Sequence, residues 1–306
     1  MGKRRPGAGS QRFRFLLELW LFKLVGFYVR SLSYAGAVRF SSFIGKVGFD
    51  LLRIRRRVTL SNLELAFGRQ KSKEEREQIG RRSYQIISRS FVEHLYLPKL
   101  KKDEILNLVK FESTKPFEQA LAGGKGAVLV SAHFGSWQLF GVAAAQLGFP
   151  VKFLVQPQRN AEVDRASYKF IEEKGVGVLR TNTSAGRICQ LVAQNNFVGM
   201  LADQDAGRHG TIVNFLGHPA STHKGPAYFA IKTGAPIVLG FMVQNGDSGF
   251  KGELLDLYYP TITGDRDRDI TTAMQYISSR IEGYVRKFPD HWFWPHRRWK
   301  STVANE

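Results

Sequence analysis

The chain has 306 residues, of which 43% are hydrophobic and 23% are charged, a balance that excludes wholesale disorder and fibrous repeats. Cys189 is its single cysteine, which excludes an internal disulfide framework and a cysteine-based zinc cluster. Lys and Arg number 45 against 26 Asp and Glu, giving a net charge of +19. We therefore expect a polyanionic partner: nucleic acid, an anionic membrane surface or a phosphorylated substrate.

The N-terminal segment combines positive charge with large apolar side chains. Leu, Phe, Trp and Tyr are frequent in residues 13–34, a composition typical of a helix at a membrane surface and unusual for a nucleic-acid-binding arm. Glu18 and Lys23 interrupt this run, and such charges cost ~2.5–3.5 kcal/mol at a bilayer centre, which disfavours a spanning helix. A cleaved signal ending near residues 35–37 and an ordinary buried helix are the alternatives. We predict a basic, apolar membrane anchor over residues 1–35.

The predicted secondary structure changes along the remainder of the chain. Ser72 and Glu75 form a capping-box pattern that starts a long helix, which ends before Pro98. From residue 126 onward, short β-rich runs alternate with helical stretches. We predict that residues 36–306 comprise a helical lead-in over residues 36–110 and an α/β core over residues 111–306.

The alternation in the second part indicates a mostly parallel sheet flanked by helices. We predict strands at residues 128–130, 151–155, 176–179, 197–201 and 237–243, an edge strand at 254–259, and helices at 135–147, 161–174, 184–194, 225–232 and 269–288. The fold class is therefore α/β, with an N-terminal apolar membrane-anchoring helix.

Two polar clusters follow predicted strands. His133 comes after the strand at 128–130, and Asp203 comes after the strand at 197–201. Because active sites in α/β sheets lie beyond the carboxyl ends of the strands, both clusters should face one edge of the sheet. His133 can accept a proton from an alcohol, and Gln138 should lie in the first turn of the following helix, near the imidazole. When each cluster is considered separately, the alternative for His133 is a structural histidine, and the alternative for the Asp203 cluster is a solvated acidic turn.

The C-terminal tail, residues 288–300, interleaves aromatic and basic residues. This pattern suits the bilayer interface, where amphipathic rings lie beside anionic head groups. It also suits stacking on single-stranded nucleic acid. The apolar character of the N-terminal segment favours the membrane interpretation.

Several segments resemble a known family. His133-Phe-Gly-Ser-Trp-Gln138 is similar to the histidine–four residues–acid signature of the glycerophospholipid and lipid A acyltransferase superfamily. Further segments resemble the bacterial lipid A late acyltransferases, in the same order along the chain: residues 62–67, 203–210, 213–217, 220–222 and 288–300.

This resemblance implies a lipid A biosynthesis acyltransferase of lauroyl or myristoyl type, on the cytoplasmic face of the bacterial inner membrane. Such an enzyme uses acyl-acyl-carrier-protein as co-substrate, with no other cofactor and no metal. It adds a secondary fatty acyl chain to a phosphorylated glycolipid, and its histidine acts as general base. The expected partners are the acyl carrier protein, the glycolipid acceptor and the anionic membrane, without nucleic acid.

Two positions depart from the family pattern. The acid of the histidine signature is Gln138 here, and the family's arginine before proline is Gln156, with Arg159 three residues further on. Glutamine can orient the ring through a hydrogen bond, but it cannot neutralise an imidazolium. We therefore expect Asp203 to supply that charge, with Asp205 as the reserve. These departures keep two alternatives open: acylation of another membrane lipid, such as a phosphatidylinositol mannoside or an aminolipid, and a catalytically impaired lipid-binding relative.

The sequence thus yields one set of candidate site residues. The candidate catalytic residues are His133, Gln138 and Asp203. The candidate substrate-binding residues, with Arg159 and Arg208 expected to bind phosphate, are Gln156, Arg159, Asn160, Gln204, Asp205 and Arg208. No metal-binding set is expected.

Overall fold

The computed structural model describes residues 8–246 and 249–303, with side chains from residue 11 onward. Residues 1–7 of the predicted anchor lie outside this range. The first part of the fold is helical. It comprises α1 (Ala8–Ser31), α2 (Tyr34–Lys46), a π-helix (Val47–Leu51), α3 (Arg56–Phe67), α4 (Lys73–Tyr96) and α5 (Lys102–Leu108).

Helix α4 is the centre of this helical part. The Ser72 hydroxyl accepts a hydrogen bond from the Glu75 amide, and the Glu75 carboxylate accepts one from the Ser72 amide, so the predicted capping box is confirmed. Helix α2 packs so closely on α4 that a Cβ atom on Gly45 would lie 2.6 Å from the Gln85 Cα atom. The predicted long helix therefore holds the N-terminal helices against the rest of the protein.

The second part is a seven-stranded sheet with the strand order β1-β9-β8-β2-β5-β3-β4. All neighbouring strands are parallel except β8 and β9, which confirms the predicted α/β class. The strands are β1 (Val109–Phe111), β2 (Ala127–Ser131), β3 (Val151–Val155), β4 (Gly177–Arg180), β5 (Phe197–Leu201), β8 (Ile237–Asn245) and β9 (Gly249–Leu254).

The helices of this part alternate with the strands, as predicted, and cover both faces of the sheet. Val128 and Val130 of β2 belong to one buried apolar cluster, whereas Leu129 belongs to another on the opposite face. Burial of both faces is typical of parallel sheets. The helices are α6 (Lys115–Ala122), α7 (Trp137–Gln146), α8 (Ala161–Glu172), α9 (Ala185–Ala193), α10 (Gly225–Thr233) and α11 (Arg266–Lys287).

The predicted edge strand at 254–259 is wrong as a continuous strand, because β9 ends at Leu254; within the predicted segment Tyr258 forms an isolated antiparallel bridge with Ile237 of β8. Glycine is depleted in strands, so the presence of Gly249 and Gly252 explains why β9 was not predicted from the sequence. The structure explains Gly252 by close packing, since a Cβ atom there would lie 2.8 Å from the Phe111 ring.

A two-stranded antiparallel hairpin was not predicted. Its strands are β6 (Thr211–Phe215) and β7 (His218–Thr222). Leu216 and Gly217 form the connecting turn with φ values of 54° and 86°, the left-handed geometry of a tight hairpin turn. The turn was not predicted from the sequence because leucine rarely adopts a positive φ.

Helix α1 has an inner and an outer face. Its inner face packs against α4 and α8, and Val29 is fully buried there. Its outer face carries exposed apolar side chains at intervals of three or four residues, which is one stripe of a helix; this stripe contains Phe13, Leu17, Trp20, Leu24 and Phe27. The exposed stripe does not fit the alternative of an ordinary buried helix. No helix within the described residues is long enough and apolar enough to cross a bilayer.

Candidate active site

The site forms where β2 and β5 end side by side. These strands are parallel neighbours, with Ser131 paired to Leu201, so the residues that follow each strand meet at the same edge of the sheet. The His133 backbone amide donates to Asp203 Oδ2 at 2.9 Å, and His133 Nδ1 lies 2.9 Å from Asp203 Oδ1. The expected approach of the two polar clusters is therefore present in the structure.

Gly135 makes this approach possible by turning the chain sharply after His133. Its φ is +56°, a conformation that glycine adopts without steric cost. A Cβ atom at this position would collide with the carbonyl oxygen of Met242 on β8. The Gly135 amide instead donates to the carbonyl of His291 at 2.8 Å, which ties the turn to the C-terminal tail.

Asp203 is a buried carboxylate with donors on both oxygens. It is 3% exposed, and Trp292 Nε1 donates to its Oδ2 at 2.8 Å. Burial alone would raise the pKa of Asp203. The electrostatic interaction and hydrogen bonds with His133, together with the Trp292 hydrogen bond, outweigh burial and hold the pKa of Asp203 below its usual value. Asp203 is therefore an ionised acceptor at neutral pH.

The contact with Asp203 determines the tautomer of His133. An ionised carboxylate only accepts hydrogen bonds, so the proton of the neutral ring lies on Nδ1 and the lone pair on Nε2. The side-chain nitrogen of Gln204 lies 3.3 Å from Nε2, where an amide N–H donates to that lone pair. His133 thus presents a basic nitrogen away from Asp203, covered by Gln204.

Aromatic rings flank the imidazole. The Trp137 ring centroid lies 5.1 Å from that of His133 and the Phe293 centroid lies 5.9 Å away. The His133 side chain is 21% exposed, compared with 2% for Asp203. The Asp203 carboxylate is therefore buried, whereas the His133 ring is partly exposed between aromatic neighbours.

Gln138 lies in the first turn of α7 as predicted, but the structure assigns the orienting contact to a different residue. Within the described residues, the ring nitrogens of His133 contact Asp203 and Gln204, and no hydrogen bond joins His133 to Gln138. Gln138 Oε1 is buried and has no hydrogen-bond partner among the described residues. The prediction that Gln138 orients the ring is therefore corrected in favour of Asp203.

The predicted substrate-binding residues after β3 separate into two groups. Gln156 and Arg159 are exposed at the same edge of the sheet. Asn160 is 5% exposed and has a structural role. Its side-chain oxygen accepts from the first amides of α8, and its nitrogen donates to the Phe15 carbonyl and to Glu18. The Asn160 side chain therefore caps α8 and ties α1 to the core.

The predicted residues after β5 lie on a loop that is hydrogen-bonded to the C-terminal tail. Asp205 Oδ2 accepts from the Gly207 amide and from Ser301 Oγ, and the Asp205 amide donates to His296 Nε2 at 3.0 Å. Asp205 makes no hydrogen bond to His133 within the described residues, so it does not act as the reserve partner in this conformation. Arg208 is exposed, and its Nε donates to His209 Nε2.

The sequence interpretation missed the C-terminal tail as part of the site. Trp292 and Trp294 are 1% and 0% exposed, so these rings are not available to a bilayer or a nucleic acid. Arg298 is 1% exposed and donates to the carbonyls of Gln204 and Ser221 and to Thr222 Oγ1. Burial lowers the pKa of Arg298 to about 10. The dense aromatic–basic pattern was the available signal, but it does not distinguish a buried tail from a surface one.

Comparisons with known proteins show the family of the chain. A family profile described as bacterial lipid A biosynthesis acyltransferase matches residues 8–301. The chain belongs to this family. The resemblance of its motifs is thereby confirmed.

The characterised relatives act on two kinds of glycolipid, according to their names. A lipid A biosynthesis palmitoleoyltransferase of Escherichia coli is 24% identical over 268 residues, 86% of this chain and 84% of the relative. Phosphatidylinositol mannoside acyltransferases of Mycolicibacterium smegmatis and Mycobacterium tuberculosis are 26% and 25% identical, over 61% of this chain in each case. These matches span 61% and 58% of the mycobacterial proteins' own length.

The contact between His296 and the Asp205 amide predicts a pH dependence of stability. Burial lowers the pKa of His296 to about 4, from a usual value of 6.5. Between these values the unfolded state binds a proton that the folded state does not, so the free energy of unfolding falls as the pH falls from about 6.5 to about 4. Urea unfolding across this range should show a smaller fall for His296→Gln than for the wild type. An equal fall in the free energy of unfolding for the two proteins would contradict the assignment of this pH dependence to His296.

Proposed function

We propose that the protein transfers a fatty acyl chain from an acyl-carrier-protein thioester to a hydroxyl of a phosphorylated glycolipid, with His133 as the general base. The observation that carries this proposal is the His133–Asp203 pair, in which a buried carboxylate leaves the lone pair on Nε2 of a partly exposed ring. Membership of the acyltransferase family supplies the reaction class.

The reaction begins when an acceptor hydroxyl displaces Gln204 from His133 Nε2. Nε2 accepts the hydroxyl proton while the oxygen attacks the thioester carbonyl, and a carbon–oxygen bond forms. The carbon–sulfur bond then breaks, and the imidazolium returns the proton to the leaving thiolate. Asp203 stabilises the imidazolium formed between these steps and maintains the ring orientation. The ester and the free carrier thiol are the products.

The surrounding residues suggest how substrates approach. Gln156, Arg159 and Arg208 are exposed at the edge of the sheet where His133 lies. Arginine side chains suit phosphate through paired N–H groups, so Arg159 and Arg208 are proposed to bind the acceptor phosphate or the phosphopantetheine of the carrier. Trp137 and Phe293 form apolar walls for the acyl chain.

The acceptor is proposed to be a lipid A precursor that receives a secondary acyl chain of lauroyl or myristoyl type. The match to the Escherichia coli relative covers 86% of this chain, which favours this acceptor. A phosphatidylinositol mannoside is the second candidate, because the mycobacterial relatives have comparable identity.

The location is proposed to be the cytoplasmic face of the bacterial inner membrane, with α1 lying on the bilayer. The exposed stripe of α1 presents Trp20 and Phe27, which are 70% and 71% exposed, and the exposed bases Arg12, Arg14 and Lys23 lie on the same helix. Exposed apolar side chains beside positive charge favour an anionic bilayer surface.

Replacement of the base tests the reaction directly. His133→Ala should lower acyl transfer from acyl carrier protein by ~10²–10⁴-fold, because general-base catalysis is lost. Product formation is measured by mass spectrometry with a lipid A precursor and, separately, with a phosphatidylinositol mannoside, which identifies the acceptor. The circular dichroism spectrum should be unchanged, because the ring is partly exposed. Near-full activity in a folded variant would contradict the mechanism.

A paired comparison separates Asp203 from Gln138. Asp203→Asn places an amide against Nδ1 and removes the charge, so activity should fall by ~10²-fold or more. Gln138→Ala removes a side chain that makes no hydrogen bond to His133 within the described residues, so activity should stay within about threefold of the wild type, which corresponds to less than ~1 kcal/mol in the barrier. Equal losses in the two variants would show that Gln138 also holds the ring.

The membrane proposal is tested by charge placed on the outer face of α1. Trp20→Glu/Phe27→Glu should reduce cosedimentation with anionic vesicles by about tenfold or more, since each large apolar side chain contributes ~1.5–3 kcal/mol when buried. Ile212→Glu/Tyr259→Glu is the matched control, because these apolar residues are also exposed, on the hairpin and after β9. Similar binding by both double variants would contradict the role of α1.

A further inference from the structure

A cavity of about 1190 Å³ lies between α3, the C-terminal tail and the turn of the β6–β7 hairpin. It is separate from the candidate active site, since neither His133 nor its hydrogen-bond partners line it. The volume is that of a site for a sizeable small molecule or headgroup. Its charged lining residues are Arg57, Glu64, Arg69, Arg286, Arg297 and Lys300.

The charges on this lining are unbalanced. Glu64 forms an ion pair with Arg76, and Arg286 forms one with Glu282. The other four cations, Arg57, Arg69, Arg297 and Lys300, are exposed and have no carboxylate within ion-pair distance among residues 11–246 and 249–303. They converge from different parts of the chain on one concave space, so each raises the electrostatic energy of the others unless an anion lies between them.

The positions of these cations favour an extended anion with more than one charged group. Helix α3 carries Arg57 in its first turn, and Arg69 follows two residues after its end at Phe67. The helical rise separates Arg57 from Phe67 by about 15 Å. Arg297 and Lys300 line the cavity from the C-terminal tail. Three of the four are arginines, whose planar N–H groups match phosphate oxygens in pairs.

The cavity is connected to the catalytic pair through the tail. Trp299 lines the cavity and is 3% exposed. Its ring centroid lies 6.4 Å from that of Trp292, which donates to Asp203. Asn62, on the α3 wall, donates to the carbonyls of Trp294 and His296. A ligand in the cavity therefore contacts the tail segment that holds the active site, without reaching His133 itself.

The segment before α3 indicates where such a ligand comes from. Leu51, Leu52 and Ile54 are 74%, 62% and 54% exposed. Arg53 precedes Ile54 and Arg55 follows it, and both adopt positive φ values, of 49° and 52°. An exposed segment of apolar and basic residues favours an anionic bilayer interface. Arg57 lies two residues after Arg55 and lines the cavity, so one end of the cavity lies near this segment.

We propose that the cavity is a second anion site that binds a phosphate-bearing group with more than one negative oxygen, supplied by a lipid headgroup or by a soluble phosphate compound. The proposal does not depend on acyl transfer or on His133. The unpaired cations of α3 and its end and of the C-terminal tail bind the phosphate oxygens, and the exposed apolar and basic segment at residues 51–55 brings a lipid headgroup to the entrance.

The test compares two double variants of the full chain that change net charge equally. Arg69→Glu/Arg297→Glu reverses one cavity cation just after α3 and one on the C-terminal tail, whereas Lys102→Glu/Lys115→Glu reverses exposed cations that do not line the cavity. Calorimetry measures the affinity for inorganic diphosphate. Cosedimentation compares phosphatidylcholine vesicles containing phosphatidic acid with vesicles containing phosphatidylglycerol at the same surface charge.

The cavity variant should lose affinity for at least one phosphate probe by about tenfold or more, since each lost charge-assisted contact is worth roughly that factor. The control should bind like the wild type. A loss of affinity for diphosphate indicates a soluble ligand. A loss of the preference for phosphatidic acid vesicles indicates a lipid headgroup. Equal binding by both double variants would overturn the proposal. Reduced affinity for acyl carrier protein alone would also overturn it, because the cavity would then be a protein-docking surface.

A measurement on the wild-type chain does not rely on either variant folding. Acetylation of lysines by a soluble anhydride is followed by mass spectrometry with and without diphosphate or phosphatidic acid vesicles. Lys300 should be protected severalfold by a bound ligand, whereas Lys102 and Lys115 should react at unchanged rates in the diphosphate arm. Equal reactivity of Lys300 with and without both probes would overturn the proposal.

Discussion

The buried carboxylate of Asp203 is the group on which the geometry of the site depends. Removing a carboxylate from water costs several kcal/mol unless hydrogen bonds and a positive partner compensate. Here the compensation comes from the amide and ring of His133 and from the indole of Trp292. These contacts join the ends of β2 and β5 to the C-terminal tail. The same contacts leave the free lone pair on His133 Nε2, which Gln204 covers until a substrate hydroxyl displaces it.

Much of this arrangement could be predicted from the sequence because it follows from local patterns. The alternation of apolar runs and helical stretches predicts a parallel sheet, and a parallel sheet places the residues after its strands at one edge. The contact between His133 and Asp203 follows from that rule, although 70 residues separate them. The capping box at Ser72 is equally local, since both of its hydrogen bonds lie within one helical turn.

The remaining features depend on contacts that no local pattern encodes. The Trp292 side chain reaches a buried carboxylate 89 residues away, whereas its aromatic–basic surroundings resemble a membrane interface in sequence. Gln138 occupies the predicted turn, yet no hydrogen bond joins its side chain to His133 within the described residues. Asn160 caps α8 and contacts Phe15 and Glu18 of α1, which lie 145 and 142 residues earlier in the chain. The basic residues of α3 and the tail are distant in sequence, and only the folded chain brings them to one cavity.

The protonation of the His133 ring tests the central claim most directly. In the chain labelled with ¹⁵N histidine, long-range ¹H–¹⁵N correlation spectra distinguish the two neutral tautomers. The contact with an ionised Asp203 predicts that Nδ1 carries the proton and that Nε2 has the free lone pair. The Asp203→Asn chain provides the comparison, because its amide no longer requires that tautomer. A neutral ring protonated on Nε2 in the wild type would contradict the account, since that nitrogen could not then accept a proton from an alcohol.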